Sequence, residues 1–214
     1  MDSLDLIFRE AQKCTKCKSI PSIETYEKYG IPYPVPWYVK NFSGERAKIM
    51  FVLQSAGTAV GGAAQTGKLS DAISYDQTAK NAQKLKVLAN ISDDECFFTN
   101  SILHAAINES GKMRNPIEDE VIECSPFLKR IINVLDPIII APVGNFALKA
   151  LNVIESHPFE KITLCAGKEF SWYGRIAFPL VHWSPKGLMN RIWEQQVQDF
   201  KLLRKTLDKI LSEK

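Results

Sequence analysis

Apolar positions in residues 3–13 (SLDLIFREAQK) recur at helical spacing, with Leu4, Ile7 and Phe8 on one face, and this predicted helix runs directly into Cys14-Thr-Lys-Cys17. The stretch GIPYPVPWYVKNFSG follows. Pro32, Pro34 and Pro36 forbid a helix there and predict an ordered surface loop. Residues 48–54 (KIMFVLQ) form a short apolar run, as expected of a strand buried on both faces. A glycine-rich loop comes next, then helical segments across about residues 70–90. CFFTNSIL (96–103) reads as a second buried strand. Pro116 opens a long predicted helix, PIEDEVIECSPFLKRIINVL, with acidic residues early and Lys129 and Arg130 later, in keeping with the helix dipole. PIIIAPV (137–143) is a third strand and GNFALKALNVI a helix. KITLCAG gives a further short strand and RIAFPLVHW the last core strand, and the tail from about Gly187 is a long amphipathic helix.

Strands alternating with helices, and apolar rather than alternating strands, predict an α/β fold: a three-layer αβα sandwich around a central, mainly parallel four-stranded sheet. The 214 residues fit one domain, 1–214, whose first segment carries the cysteine pair. An apolar share of 45% and a charged share of 24% are those of an ordinary globular chain, and no apolar run reaches spanning length. The acidic, amphipathic start lacks the basic flank and cleavage site of a secretory signal, which places the expected location in the cytoplasm, with the chromosome. The net charge of +3 permits nucleic-acid binding without requiring it. Five cysteines in a reducing compartment point to metal binding or catalysis rather than disulfides.

Cys14-x-x-Cys17 brings two thiolates close enough to share one metal or cluster, a pattern common to zinc sites, iron–sulfur centres and redox pairs. Cys124 lies within a helix and reads equally as a core thiol; Cys96 and Cys165 fall in strands and read as structural. His104 ends a strand, where parallel sheets present functional groups, although a lone histidine is more simply a hydrogen-bonded one. Gly62-Ala-Ala-Gln-Thr-Gly67-Lys68 comes within one residue of a phosphate-binding loop, but Leu69 stands where a hydroxyl would hold magnesium, so a nucleotide enzyme is a remote alternative. In VHWSPKGLMNR, His182 ends a strand as a plausible electrostatic catalyst. Lys186, Arg191 and the apolar pair Leu188-Met189 make a basic loop with a wedge, suited to unstacking a duplex.

In this order these segments resemble the uracil-DNA glycosylase superfamily, in its iron–sulfur branches called families 4 and 5. The likeness runs from Cys14 to about Trp193. It comprises the Cys14-x-x-Cys17 start, a proline-rich segment before the first strand, and FFTN (97–100) ending in a base-reading asparagine. It continues through ECSPFLKRIINVLDPIIIAPVGNFALKAL to HWSPKGLMNR, which is similar to a His-Pro-Ser motif with its groove-probing loop. The resemblance implies an iron–sulfur cluster, [4Fe–4S] in type, held by Cys14, Cys17, Cys124 and His104. The histidine stands where the family usually has cysteine, as in the branch that cross-links to uracil-DNA. That branch's reactive histidine is missing from GKMRNP, so covalent capture is not expected.

The first active-site motif departs from the family: Leu53-Gln54-Ser55-Ala56-Gly57 has no carboxylate, leaving Gln54 to hold water or base, with Gly57 beside it. Thr66-Gly67-Lys68-Leu69-Ser70-Asp71 looks like a shortened family-5 segment and makes Asp71 the expected carboxylate, with Tyr75 the expected stacking aromatic. The implied function is a monomeric DNA glycosylase that flips a deaminated base, uracil foremost, and hydrolyses its N-glycosidic bond. Asn100 would read the base, His182 would stabilise the departing anion, and Lys186, Leu188, Met189 and Arg191 would hold the bent strand. A glycosylase-like protein that binds DNA or damaged bases without catalysis is the alternative raised by Gln54.

Overall fold

A computed structural model describes residues 3–31, 47–55, 57 and 76–213. In chain order the elements are α1 (Leu4–Ala11), α2 (Ile23–Lys28), β1 (Ile49–Leu53), α3 (Gln77–Leu88), β2 (Cys96–Asn100), α4 (Glu118–Leu135), β3 (Ile139–Pro142) and α5 (Asn145–Ile154). They continue with α6 (Ile162–Cys165), β4 (Phe170–Trp172), β5 (Arg175–Ala177), α7 (Pro185–Leu188) and α8 (Trp193–Ser212).

The strands line up in the order β2-β1-β3-β5-β4. The first four are parallel, as the apolar runs require, and β4 adds an antiparallel edge against β5. Each residue of β1 is buried, and successive side chains enter opposite layers. Ile49, Phe51 and Leu53 pack with Leu85 of α3 and Phe200, Leu203 and Leu207 of α8. Met50 and Val52 pack on the other face with Ile7 and Phe8 of α1, Leu128 and Ile132 of α4 and Leu151 of α5. The expected three layers are therefore present.

Three expectations are corrected. The sheet has five strands, because Phe170–Trp172 forms an edge hairpin strand with β5 through the turn at Tyr173-Gly174. The run ITLC is a short helix, not a strand: Asn145 Oδ1 accepts the Ile162 N–H at 2.8 Å, and Ala166 N–H closes the turn on the Ile162 carbonyl. The C-terminal helix starts at Trp193 rather than near Gly187, a separate turn, α7, preceding it.

α4 carries Pro126 in its interior. Proline cannot donate to the Ile122 carbonyl four residues back. Ser125 Oγ does so instead, at 2.8 Å, and the helix continues. No helix among the described residues is long and apolar enough to cross a membrane.

Parallel register aligns the carboxyl ends of the strands. Leu53 stands beside Asn100, Val52 beside Pro142, and the pairing continues past β3 and β5 in a bridge between Val143 and Leu180. That edge is where open α/β sheets bind ligands.

Candidate functional site

Two sites lie around the end of β2. The first is a cluster of sulfur and imidazole. Donor atoms of Cys17, His104 and Cys124 lie within 4.8 Å of one another. Cys14 lines the same small pocket with Ala11, Ile20, Leu103 and Phe127, outside that close trio. α1 positions the pair: Ile7, Phe8 and Ala11 bury its apolar face against α4, and Cys14 N–H closes the last turn on the Ala11 carbonyl. His104 and Cys124 are both buried, whereas Cys14 and Cys17 are half-buried. The Cys17 and Cys124 thiols hydrogen-bond each other, which pushes Cys17 up and Cys124 down; a backbone hydrogen bond at Leu103 also favours the Cys124 thiolate.

Glu120 supports this trio from behind. It is fully buried, and Arg114 clamps it with Nη2 to Oε1 at 2.5 Å and Nη1 to Oε2 at 2.9 Å. Ser19 Oγ donates to Oε1 at 3.0 Å, Ile117 N–H to Oε2 at 2.9 Å, and His104 Nε2 lies 3.5 Å from Oε1. Burial alone would raise its pKa, but Arg114 and His104, with the Ile117 and Ser19 bonds, hold it well below the usual carboxylate range. A carboxylate behind a ligating imidazole is the usual outer support of a metal site. Two thiols, an imidazole, a third thiol at the edge and this support suit a metal or an iron–sulfur cluster. Cys96 and Cys165 are remote: burial pushes Cys96 up to about 12 and Cys165 up to about 11, as befits inert core thiols.

The second site is a cavity of about 500 Å³ along the carboxyl ends of the strands. Of the residues expected to act there, it brings together Gln54, Gly57, Asn100, His182 and Lys186. Asn100 is 1% exposed, and neither atom of its amide has a hydrogen-bond partner among the described residues. Buried amides are ordinarily satisfied, so a donor and acceptor left open at a cavity wall mark a ligand-reading position. The Gln54 backbone is fixed, its carbonyl accepting from Ser101 Oγ at 2.6 Å and Ile102 N–H at 3.3 Å.

His182 is held by its neighbours. Trp183 is fully buried, edge-on to Phe51 (5.8 Å) and Phe200 (5.8 Å), and Asn81 Nδ2 donates to its carbonyl at 2.7 Å. Ser184 N–H donates to His182 Nδ1 at 3.1 Å, so the proton of the neutral ring sits on Nε2. Burial pushes the His182 pKa down, against the opposing pull of Asp76, and favours that neutral donor. A Cβ on Gly187 would lie 1.6 Å from the His182 carbonyl oxygen, so only glycine lets the loop fold back this closely.

Beyond it, Met189 stands 85% exposed and Leu188 is half-buried, so Met189 is the projecting member of the pair. Arg191 lies between α7 and α8. It forms a two-pronged pair with the buried Asp199, and Gln196 Nε2 holds its carbonyl, so its charge anchors the loop to α8. Asp71, Tyr75 and the phosphate-loop-like stretch ending at Lys68 lie outside the described residues.

The cavity also contains residues the sequence reading did not select: Asp76, Phe146, Asn145, Met113 and Asn115. Asp76 carried a signal, an acidic residue ahead of a helix, but one that ordinarily means a cap. Met113 and Asn115 flank Arg114, so one tripeptide lines the cavity and clamps the carboxylate behind His104.

The parallel sheet thus carries an asparagine at the end of one strand and a histidine loop after another, both at one cavity. The family model of the uracil DNA glycosylase superfamily matches residues 41–208, and the chain belongs to that superfamily. It is similar to the type-4 uracil-DNA glycosylase of Sulfurisphaera tokodaii, at 29% identity over 95% of this chain and 84% of the relative. The type-4 uracil-DNA glycosylase of Saccharolobus solfataricus is 27% identical over 85% of this chain and 76% of its own length. A 92-residue stretch, 43% of the chain, is 35% identical to a part of a Bacillus phage SP01 DNA polymerase, covering 9% of that protein.

Proposed function

We propose that this protein, acting as a monomer, is a DNA glycosylase that extracts a deaminated base, uracil foremost, and hydrolyses its N-glycosidic bond. The observation that carries the reading is Asn100: a buried amide with both atoms open, in one cavity with a histidine whose tautomer is set. An amide in that position pairs with the O4 and N3–H edge of uracil, whereas cytosine offers the opposite pattern at its amino group. Flipping costs a few kcal/mol and is cheapest for mispaired bases, which adds selectivity. Met189 fills the gap left in the stack, and Lys186 holds a phosphate.

As the C1′–N1 bond breaks, its electron pair leaves with the base. Neutral His182 donates from Nε2 to the oxygen where that charge collects, a contribution of about 3–4 kcal/mol for a single well-placed donor. Gln54 fixes the sugar or the attacking water by hydrogen bonds, having no charge of its own to offer.

The resident cofactor in this reading is an iron–sulfur cluster, [4Fe–4S] in type, on Cys14, Cys17, His104 and Cys124. Bound there it ties the N-terminal segment to β2 and α4; excision itself needs no electron transfer. Iron and sulfide analysis of anaerobically purified, brown protein supports this centre, whereas colourless protein with stoichiometric zinc refutes it.

Excision is tested on uracil-, hypoxanthine- and xanthine-containing oligonucleotides, single- and double-stranded, with Asn100→Ala and His182→Ala as controls. Release of uracil that both substitutions suppress is the expected result. Tight binding of these DNAs without release of any base by metal-loaded protein would establish the non-catalytic alternative, which the missing carboxylate at Gln54 favours.

A further inference from the structure

Arg191 ends the loop that follows His182, yet its charge is turned into the protein. Nε and Nη2 both donate to Asp199, one to each carboxylate oxygen, and Asp199, within α8, is 1% exposed. The backbone is held at the same place. Gln196 Nε2 donates to the Arg191 carbonyl at 3.0 Å, and the N–H groups of Asn190 and Arg191 close back on the Gly187 carbonyl at 3.0 and 3.1 Å. A third element makes room for the pair. A Cβ on Gly167, just past α6 with φ +74°, would lie 2.3 Å from Asp199 Oδ1 and 3.2 Å from Arg191 Nη2. The Gly167 N–H donates to the Pro179 carbonyl at 2.9 Å, in the segment that leads from β5 to His182. What the loop turns outward is apolar: Met189 is 85% and Ile192 56% exposed, on either side of the inward-turned arginine.

A buried ion pair adds little net stability, because desolvating two charges offsets most of their attraction, whereas its two-pronged form fixes direction as well as distance. We propose that Asp199 is a positioning residue for duplex recognition: it captures Arg191, fixes the loop before DNA arrives, and so presents Met189 and Ile192 as a preformed apolar edge to the base stack. This rests on the glycosylase reading and deepens it. Arg191 acts from inside the protein, and Lys186, exposed on the same loop, meets the phosphate. A loop ordered in advance loses little conformational freedom on entering the stack, an advantage that matters where a paired base has to be pushed out. An unpaired uracil has no partner strand to leave, so its release is indifferent to the ion pair.

The double variant Asp199→Asn/Arg191→Gln removes both charges and leaves neither unpaired. Single-turnover release of uracil from a duplex should fall about 10–100-fold, while release from the same strand unpaired stays within about two-fold of the parent. The slope of log affinity for the duplex against log salt should stay as in the parent, whereas Lys186→Ala should flatten it by about one. Gly167→Ala, which keeps both charges and crowds Asp199 from another element, should show the same duplex-selective loss. Equal losses on the two substrates, duplex release at the parent rate, or a slope flattened by the double variant as by Lys186→Ala overturns the assignment and leaves the glycosylase reading intact. Absence of release from either DNA by the unsubstituted, metal-loaded protein overturns both.

Discussion

The two ends of the short segment from Asn100 to His104 are built on opposite rules. At Asn100 a buried amide is left open on both atoms, facing a cavity. At His104 a neighbouring carboxylate, Glu120, is saturated by Arg114, Ser19 and Ile117. Unsatisfied polar groups in an interior cost roughly 1–3 kcal/mol each, and Asn100 carries two of them at the wall of a cavity that a ligand can enter. The saturated end fixes structure, and the open end waits for a substrate. The contrast separates a centre that holds the chain from a cavity that acts on something else, although only three residues of sequence lie between them.

Substitutions on either side should break this contrast unequally. His182→Ala should have the largest effect, lowering the rate of base release about 10²–10³-fold without moving the melting temperature. Gly187→Ala should follow at about 100-fold. The new Cβ collides with the His182 carbonyl and displaces the imidazole, and crystallography or His182 NMR shifts would report the displacement.

Glu120→Gln should weaken metal retention about 10–100-fold, read by chelator competition, while Asn100-dependent binding of uracil-DNA by loaded protein stays the same. A loss of DNA binding equal to the loss of metal would show that the two ends are one unit.

The smallest effect on either site should come from Glu95→Gln. Burial disfavours the charge on Glu95, but Ser92, Arg204 and Lys48 bring its pKa down to about 2. A depressed pKa contributes stability that is complete above the unfolded value and is lost as pH falls through the folded one. The substitution should therefore cost up to about 3 kcal/mol at neutral pH. It should flatten the acid limb of the stability profile between roughly pH 4.5 and 2, and leave base release unchanged.

Much of this arrangement was legible in the chain. Runs such as KIMFVLQ and PIIIAPV can be buried on both faces only as central parallel strands, and a strand end indicated His182, whereas Asn100 and the ligand role of His104 came from the resemblance to the glycosylase family. The four residues of ITLC are too few to show a period, however, and a capping bond from Asn145, seventeen residues away, decided for a helix. Arg191 read as part of a basic loop, and its pairing with Asp199 was hidden because that partner is eight residues on and buried. Glu120 read as one of several acidic residues suiting a helix start, and Asp76 was not singled out at all. Only the fold distinguishes a carboxylate that faces solvent from one that faces His104 or a cavity.

Pro126 divides α4 into two halves held together by one fewer amide bond, with Ser125 Oγ standing in at the junction. The polar and sulfur groups that α4 gives the sulfur–imidazole centre, Glu120 and Cys124, lie in the first half, while Leu128, Ile131, Ile132 and Leu135 root the second in the core. Hydrogen exchange should reflect that seam. With the centre stripped, amides of residues 121–125 should exchange through a local opening, while those of residues 128–135 retain the protection of global unfolding. The proline thus acts as a firebreak, confining a local opening at the thiol-and-imidazole end of the helix before it reaches the sheet.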